Sequence, residues 1–332
     1  MELLYQPYLQ VRSNMGIVYT KYLGSRRASL FDRQKELQQH QVHNFQLNKA
    51  YSGSLSAGAV KRIRRAVELL VESTPRRIVF NPIVQHNVHH KLSFITLTIP
   101  TATDLKLRDV TKKVLEPMIR HLRQVHGMKS YVWKAELQQR GQIHYHLTSD
   151  VFIHYQHLRN KWNQLLARAG YMSEYVAKEG HNNANSTDIH SVKNIRDLAS
   201  YLVKYFTKQE QNPVAMDGKI WDCSKNLKEA SYFETELTQD VEIDILHQQQ
   251  QQQLKVVPKE SFTLIKTNGF KFIRILPIES RRAYQQHLRD IYNGITRSKE
   301  CTKINTPVLN LVHQKQDTST IIPARTQLEL KL

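Results

Sequence analysis

The sequence predicts an α+β fold: a central antiparallel β-sheet flanked by helices, with a helical N-terminal extension and a variable C-terminal region. Three observations lead there. Phe94 to Ile99 is a β-branched and aromatic run closed by Pro100, as a strand requires. Tyr131 to Leu137 and Ile143 to Thr148 are apolar-rich runs around the turn-like Gln138-Gln139-Arg140-Gly141-Gln142, which predicts a hairpin. Segments of helical spacing lie before and after these strands, and strands interleaved with helices around a hairpin argue for α+β layers.

Taken in order, residues 1 to about 50 are polar, rich in Gln, His and Arg, and show little periodicity. Ser56 is placed to cap a helix whose Val60, Ile63, Val67, Leu70 and Val71 form one apolar face, closed by Pro75. After the Phe94 strand, Val114, Leu115, Met118, Ile119, Leu122 and Val125 repeat at helical spacing up to Gly127, with a kink expected at Pro117. Beyond the hairpin, Leu158, Trp162, Leu165, Leu166 and Ala169 predict a helix ended by Gly170. Asp188 to Val192 is a short strand candidate, and Asn194 is expected to cap a helix running to about Lys208. The unbroken Gln248 to Gln253 run offers no apolar face and reads as linker. Phe262 to Ile265 and Phe270 to Ile275 flank Asn268-Gly269, a hairpin signal, with a helix expected from Ser280 to Asn293 and a flexible tail after it. The expected organisation is an N-terminal extension over 1–75, a catalytic domain over 76–232, a Gln-rich linker over 233–260 and a small C-terminal hairpin–helix region over 261–332.

No stretch approaches the roughly 18 apolar residues of a spanning helix. The polar Met1 to Arg12 segment carries no apolar signal core, so a cytoplasmic protein is expected, with no membrane partner. Cys223 and Cys301 are the two cysteines, too few for a disulfide framework or a four-cysteine zinc module; with no paired histidine or cysteine at motif spacing, they read as packing residues. The charge says more. Forty-eight Lys and Arg against 29 Asp and Glu give +19 and a pI near 9.8, an excess that draws polyanions, nucleic acid being the commonest. A merely basic surface, or attraction to anionic lipid, is the competing reading.

Two constellations carry chemistry. His144-Tyr145-His146 places two histidines two apart, so on a strand both imidazoles share a face about 7 Å apart at the backbone. Alone this pattern fits two surface histidines as well. Glu136, on the partner run of the hairpin, could bring a carboxylate to the same ion, a ligand set that accepts Mn²⁺ or Mg²⁺, or zinc through the nitrogens. Its plain alternative is a solvated strand carboxylate. Tyr201, Lys204, Tyr205 and Lys208 fall at i, i+3, i+4 and i+7, one stripe of a helix, with Leu202, Val203 and Phe206 as apolar flanks toward the sheet. Tyrosines packing under snorkelling lysines are the alternative there. A tyrosine is a poor nucleophile at neutral pH; a cation at His144, His146 and Glu136 would polarise a phosphate, and Lys204 or Lys208 would add positive charge beside it. His86, His89 and His90 lie on what reads as a polar connection and are taken as surface histidines.

Phe94-Ile-Thr96-Leu-Thr98, Glu136-Leu-Gln-Gln-Arg140-Gly-Gln-Ile-His144-Tyr-His146 and Tyr201-Leu-Val-Lys204-Tyr205-Phe-Thr-Lys208 resemble, in order and spacing, the three motifs of rolling-circle replication initiators of the HUH endonuclease superfamily. The last is similar to the two-tyrosine form of single-stranded DNA phages. The resemblance covers roughly residues 76–232 and implies a sheet carrying the histidine strand, with the tyrosine helix across it. It implies His144, His146 and Glu136 as ligands of Mg²⁺ or Mn²⁺, and Tyr201 and Tyr205 as nucleophiles assisted by Lys204 and Lys208. Contacts to DNA from Thr96, Thr98 and Arg140 are implied as well. The chemistry implied is nicking and rejoining of single-stranded origin DNA through a 5′-phosphotyrosine. No GxxxxGK[ST] loop occurs in the sequence, so no nucleotide cofactor is expected, and a separate helicase and DNA polymerase are the implied partners. A two-tyrosine transposase is the first alternative, although that group usually carries a cysteine-rich zinc module near its N-terminus. A non-catalytic basic nucleic-acid-binding protein is the second.

Overall fold

The computed structural model describes residues 5–22, 55–100, 105–138, 141–192, 198–207, 216–268 and 270–295. It opens with two strands where the sequence shows no clear period. In β1 (Tyr5–Val11) the fully buried Leu9 and Val11 flank Gln10, a short alternation hidden among polar residues. A tight return, with Arg12 N–H donating to the Met15 carbonyl at 2.9 Å, leads into β2 (Met15–Tyr22). Helix α1 (Ala57–Ser73) follows as expected, its Ala59 N–H donating to Ser56 Oγ and Ile63, Val67 and Leu70 buried.

Strands β3 (Arg77–Asn81) and β4 (His86–His90) form a separate two-stranded ribbon. The three histidines expected on a polar connection therefore sit on a strand, and His90 is buried. β5 (Ser93–Thr98) is the predicted aromatic run. Helix α2 (Leu107–Val110) passes through a π turn at Thr111–Leu115 into α3 (Glu116–His126). Pro117 lies in the first turn of α3, directly after the π turn, where proline's missing N–H is best tolerated. Gly127 ends α3 at φ 65°. β6 (Tyr131–Leu137) and β7 (Ile143–Ser149) are the predicted hairpin, followed by α4 (Tyr155–Arg168), α5 (Ser173–Glu179), β8 (Thr187–Ser191) and α6 (Leu198–Thr207). Asn194, the expected cap of α6, lies outside the described residues.

The remaining elements are β9 (Trp221–Cys223), α7 (Lys225–Glu229), β10 (Phe233–Glu236), α8 (Gln239–Gln250), β11 (Leu254–Pro258), β12 (Thr263–Thr267) and α9 (Ile278–Asn293). Half of the glutamine run expected as linker is helix. Val241 and Ile245 anchor α8 in the core, and glutamine, a good helix former, carries the exposed turns onward. The C-terminal hairpin also differs from expectation. β11 pairs with β12 through a turn in which Lys259 N–H donates to the Phe262 carbonyl at 2.9 Å, while Phe272–Ile275 is a 3₁₀ turn. Phe272 is fully buried, and its ring lies where a Cβ at Gly16 would overlap it; a side chain there would have to displace a core aromatic.

The strands form two five-stranded sheets, ordered β8-β5-β7-β6-β9 and β10-β1-β2-β12-β11, antiparallel throughout. The second sheet joins residues 5–22 to residues 233–267, so parts of the expected N-terminal extension and Gln-rich linker contribute to one structure. In the first sheet, Trp133 and Tyr145 share one face. Tyr145 meets Trp162 of α4 edge-on at 6.4 Å and bonds Thr111 of the π turn at 2.9 Å. Thr111, Leu115 and Ile119 line one groove together with Trp133, so the π turn and α3 stand over this face of β6. Helix α1, which packs on β6, therefore covers the other face, and α6 packs on α1. Buried Cys223 of β9 behaves as a packing residue: burial, then the nearby Asp222, pushes its thiol up to about 11. Cys301 lies outside the described residues. No helix among the described residues is long and apolar enough to cross a membrane.

Candidate functional site

Antiparallel pairing puts directly opposed residues on the same face. Thr98, His144 and Glu136 are therefore aligned in one row across β5, β7 and β6, and Thr96, His146 and Lys134 in the next. Five of these six residues are candidates named from the sequence; Lys134 is not. The two imidazole rings lie 4.6 Å apart, and Phe94 stacks on His146 at 5.6 Å.

Each imidazole is held from behind by a threonine. Thr98 Oγ1 lies 3.0 Å from His144 Nδ1 and Thr96 Oγ1 lies 3.4 Å from His146 Nδ1. Gln138 Nε2 also reaches His144 Nδ1 at 2.9 Å. Contacts of this kind at Nδ1 fix ring orientation and leave Nε2 as the outward nitrogen. His146 Nε2 faces Glu136 Oε2 at 3.4 Å, and the other carboxylate oxygen accepts from Lys134 Nζ at 2.7 Å. Lys134 is only 4% exposed, so a buried ammonium is built into the site. Its strand position alone does not distinguish it from a solvated lysine; the burial and the pair with Glu136 do.

The charge states follow from these contacts. Burial, reinforced by His146 and opposed by Glu136, brings His144 down to about 4. Burial alone would push the Glu136 carboxyl up, but hydrogen bonds from His146 and Lys134 outweigh it and bring it down to about 2. At neutral pH the pair is a neutral imidazole and a carboxylate, the forms that bind a cation. Among the described residues, no group of three or more His, Cys, Asp and Glu stands arranged to hold a metal ion. Lys134 Nζ instead pairs with Glu136 at 2.7 Å. In donor type, His144, His146 and Glu136 fit a divalent cation.

These values predict an acid-sensitive metal-free protein. His144, lowered from 6.5 to about 4, stabilises the fold fully above 6.5, and that contribution is lost as pH falls toward 4. The unfolded chain takes up the proton that the folded site refuses. Glu136, lowered from 4.5 to about 2, contributes above 4.5 and loses its share as pH falls toward 2. Urea midpoints in EDTA should therefore drop between about pH 7 and about pH 5, and drop less in His144→Gln. An equal drop in the variant would show that His144 is not responsible.

On α6 the apolar stripe is as expected: Leu202, Val203 and Phe206 are buried. Tyr201 is 49% exposed, and Lys204 is also exposed, so phenol and ammonium face outward from the core. Tyr205 falls one turn later on α6; its side chain, Lys208 and Arg140 lie outside the described residues. A groove of about 2640 Å³, lined by Arg120, Arg123, Tyr131 and Trp133, opens on the opposite face of the sheet and is not the histidine site.

Residues 92–210 match the family model for replication-associated protein ORF2. The match supports a rolling-circle replication initiator family. No curated protein and no solved structure matches the chain. The matched span begins one residue before β5 and ends three residues after α6. It thus encloses both rows of the site and the tyrosine helix, and leaves out α1, the β3–β4 ribbon and the whole second sheet.

Proposed function

We propose that this replication-associated protein is an HUH nuclease that nicks and rejoins single-stranded DNA. The observation that carries the reading is the pair of rows across β5, β7 and β6, which lie with the tyrosine helix inside the span matched by the ORF2 family model. His144, His146 and Glu136 would hold Mg²⁺ or Mn²⁺, which supplies Lewis-acid polarisation of the scissile phosphate when bound. Thr96 and Thr98 orient the imidazoles. Lys134, paired with Glu136, keeps that carboxylate ionised.

The phenol oxygen of Tyr201 or Tyr205 attacks phosphorus as the P–O3′ bond breaks. The products are a phosphotyrosine on the 5′ end and a free 3′-OH. One phosphodiester replaces another, so the step is reversible without a nucleotide cofactor. Lys204, and Lys208 four residues on in the sequence, would favour the phenolate and the charge developing on the phosphate. The substrate on this reading is single-stranded origin DNA, with unwinding and synthesis supplied by a separate helicase and polymerase.

The test is a denaturing gel after incubation with single-stranded DNA of its own origin and Mn²⁺ or Mg²⁺. A covalent adduct is expected that EDTA abolishes, that persists in Tyr201→Phe or Tyr205→Phe singly, and that disappears in the double variant. Undiminished adduct in the double variant would refute the assignment of the nucleophile; no adduct from the wild type would leave a protein that binds nucleic acid without cutting it.

A further inference from the structure

We propose that the β3–β4 ribbon is a DNA wedge, whose apolar tip inserts between base pairs of a duplex and opens it beside the histidine face. This goes beyond the nuclease reading and shares with it only that the substrate is DNA. Ile78 is 65% exposed, Phe80 55%, Ile83 62% and Val84 47%. Four of the thirteen exposed large hydrophobic residues among those described thus fall within seven consecutive positions, too concentrated for scattered surface residues.

The ribbon pairs with neither five-stranded sheet, yet it is built firmly at both ends. At its root the Arg77 guanidinium donates to the Asp150 carbonyl, and His90 meets Phe152 edge-on at 5.2 Å. At its tip Ile83 N–H donates to Asn81 Oδ1 at 2.9 Å, and Gln85 Nε2 donates to the Pro82 carbonyl at 2.6 Å. Gln85 takes the left-handed backbone (φ 54°) that closes the turn.

Charge selects the occupant. From Ser73 to Leu92 the chain holds no Asp or Glu and presents exposed Arg76, His86 and His89, with Arg77 and Lys91 half-buried at the root. A second copy would bring two such cationic ribbons together. DNA instead offers phosphates to the cations and base steps to the apolar tip, the combination by which side-chain wedges unstack and kink a duplex. Position fits as well. His90 leads straight into β5, and six residues of extended chain, about 20 Å, separate it from Thr96, which contacts His146.

The test uses the full chain and a duplex of about 30 base pairs with a central TA step. The duplex carries 2-aminopurine at that step and a fluorescent donor and acceptor at its ends. Wild-type binding should raise 2-aminopurine fluorescence severalfold and bring the ends together. Phe80→Ser combined with Ile83→Ser, both exposed positions, should bind within about twofold of wild type because phosphate contacts remain, yet lose both signals. It should also keep wild-type cleavage of single-stranded origin DNA. Equal unstacking by the double variant, or none by bound wild type, would overturn the wedge. So would a wild-type dimer that the double variant converts to monomer in sedimentation without losing the unstacking signal, because the apolar tip would then be a self-association surface. If wild type unstacks the duplex but forms no adduct on single strands, the nuclease reading falls and the wedge stands.

Discussion

Replacing both histidines, His144→Ala with His146→Ala, is expected to slow nicking of single-stranded origin DNA by at least about 10³-fold, equivalent to ~4 kcal/mol of transition-state stabilisation. The two rings share one face of β7, 4.6 Å apart, and each is oriented by its own threonine. The double variant should therefore lose metal binding, read by calorimetry with Mn²⁺, while retaining affinity for single-stranded DNA, because the basic surface is unchanged. A cleavage rate within about threefold of wild type would remove the histidines from the chemistry. A parallel loss of DNA affinity would mean that the pair holds the substrate rather than a cation.

The histidine-bearing sheet was legible in the sequence because its information is local. Tyr131 to Thr148 alternates on both sides of one turn, and that alternation fixes the register aligning Glu136 with His144. Ser56 and the spacing of Ile63, Val67 and Leu70 fix α1 in the same way. The second sheet was not legible. β1 pairs with β10, more than 220 residues away in the chain, and a four-residue register between Tyr8–Val11 and Phe233–Glu236 leaves no local period to read. The glutamine run misled because an exposed helix needs no apolar face once its first turns are anchored. Lys134 was overlooked for a related reason: a cation on a strand normally reads as solvated, and only the paired structure shows it buried against Glu136. The tyrosine stripe was legible as a helix face, since the buried Leu202, Val203 and Phe206 force Tyr201 and Lys204 outward.

Trp162→Ala is expected to cost about 3–5 kcal/mol of stability and to disturb the site through the sheet. Trp162 is fully buried and lies edge-on to Tyr145, the residue between the two histidines. Its indole N–H donates to the Thr98 carbonyl at 2.9 Å, while the Thr98 hydroxyl, on the other face of β5, contacts His144. Removing the ring opens a cavity behind β7 and leaves that carbonyl without its donor. Trp162→Phe separates the two effects. It keeps most of the packing and loses the hydrogen bond, so about 1–3 kcal/mol is expected. Denaturant midpoints measure both variants, and Mn²⁺ affinity at matched folded fraction shows whether the bond reaches the histidine face. If Trp162→Phe binds Mn²⁺ as tightly as wild type, Trp162 supports the core alone. A weaker affinity in the folded variant would show that α4 sets the position of His144 through a single backbone carbonyl of β5.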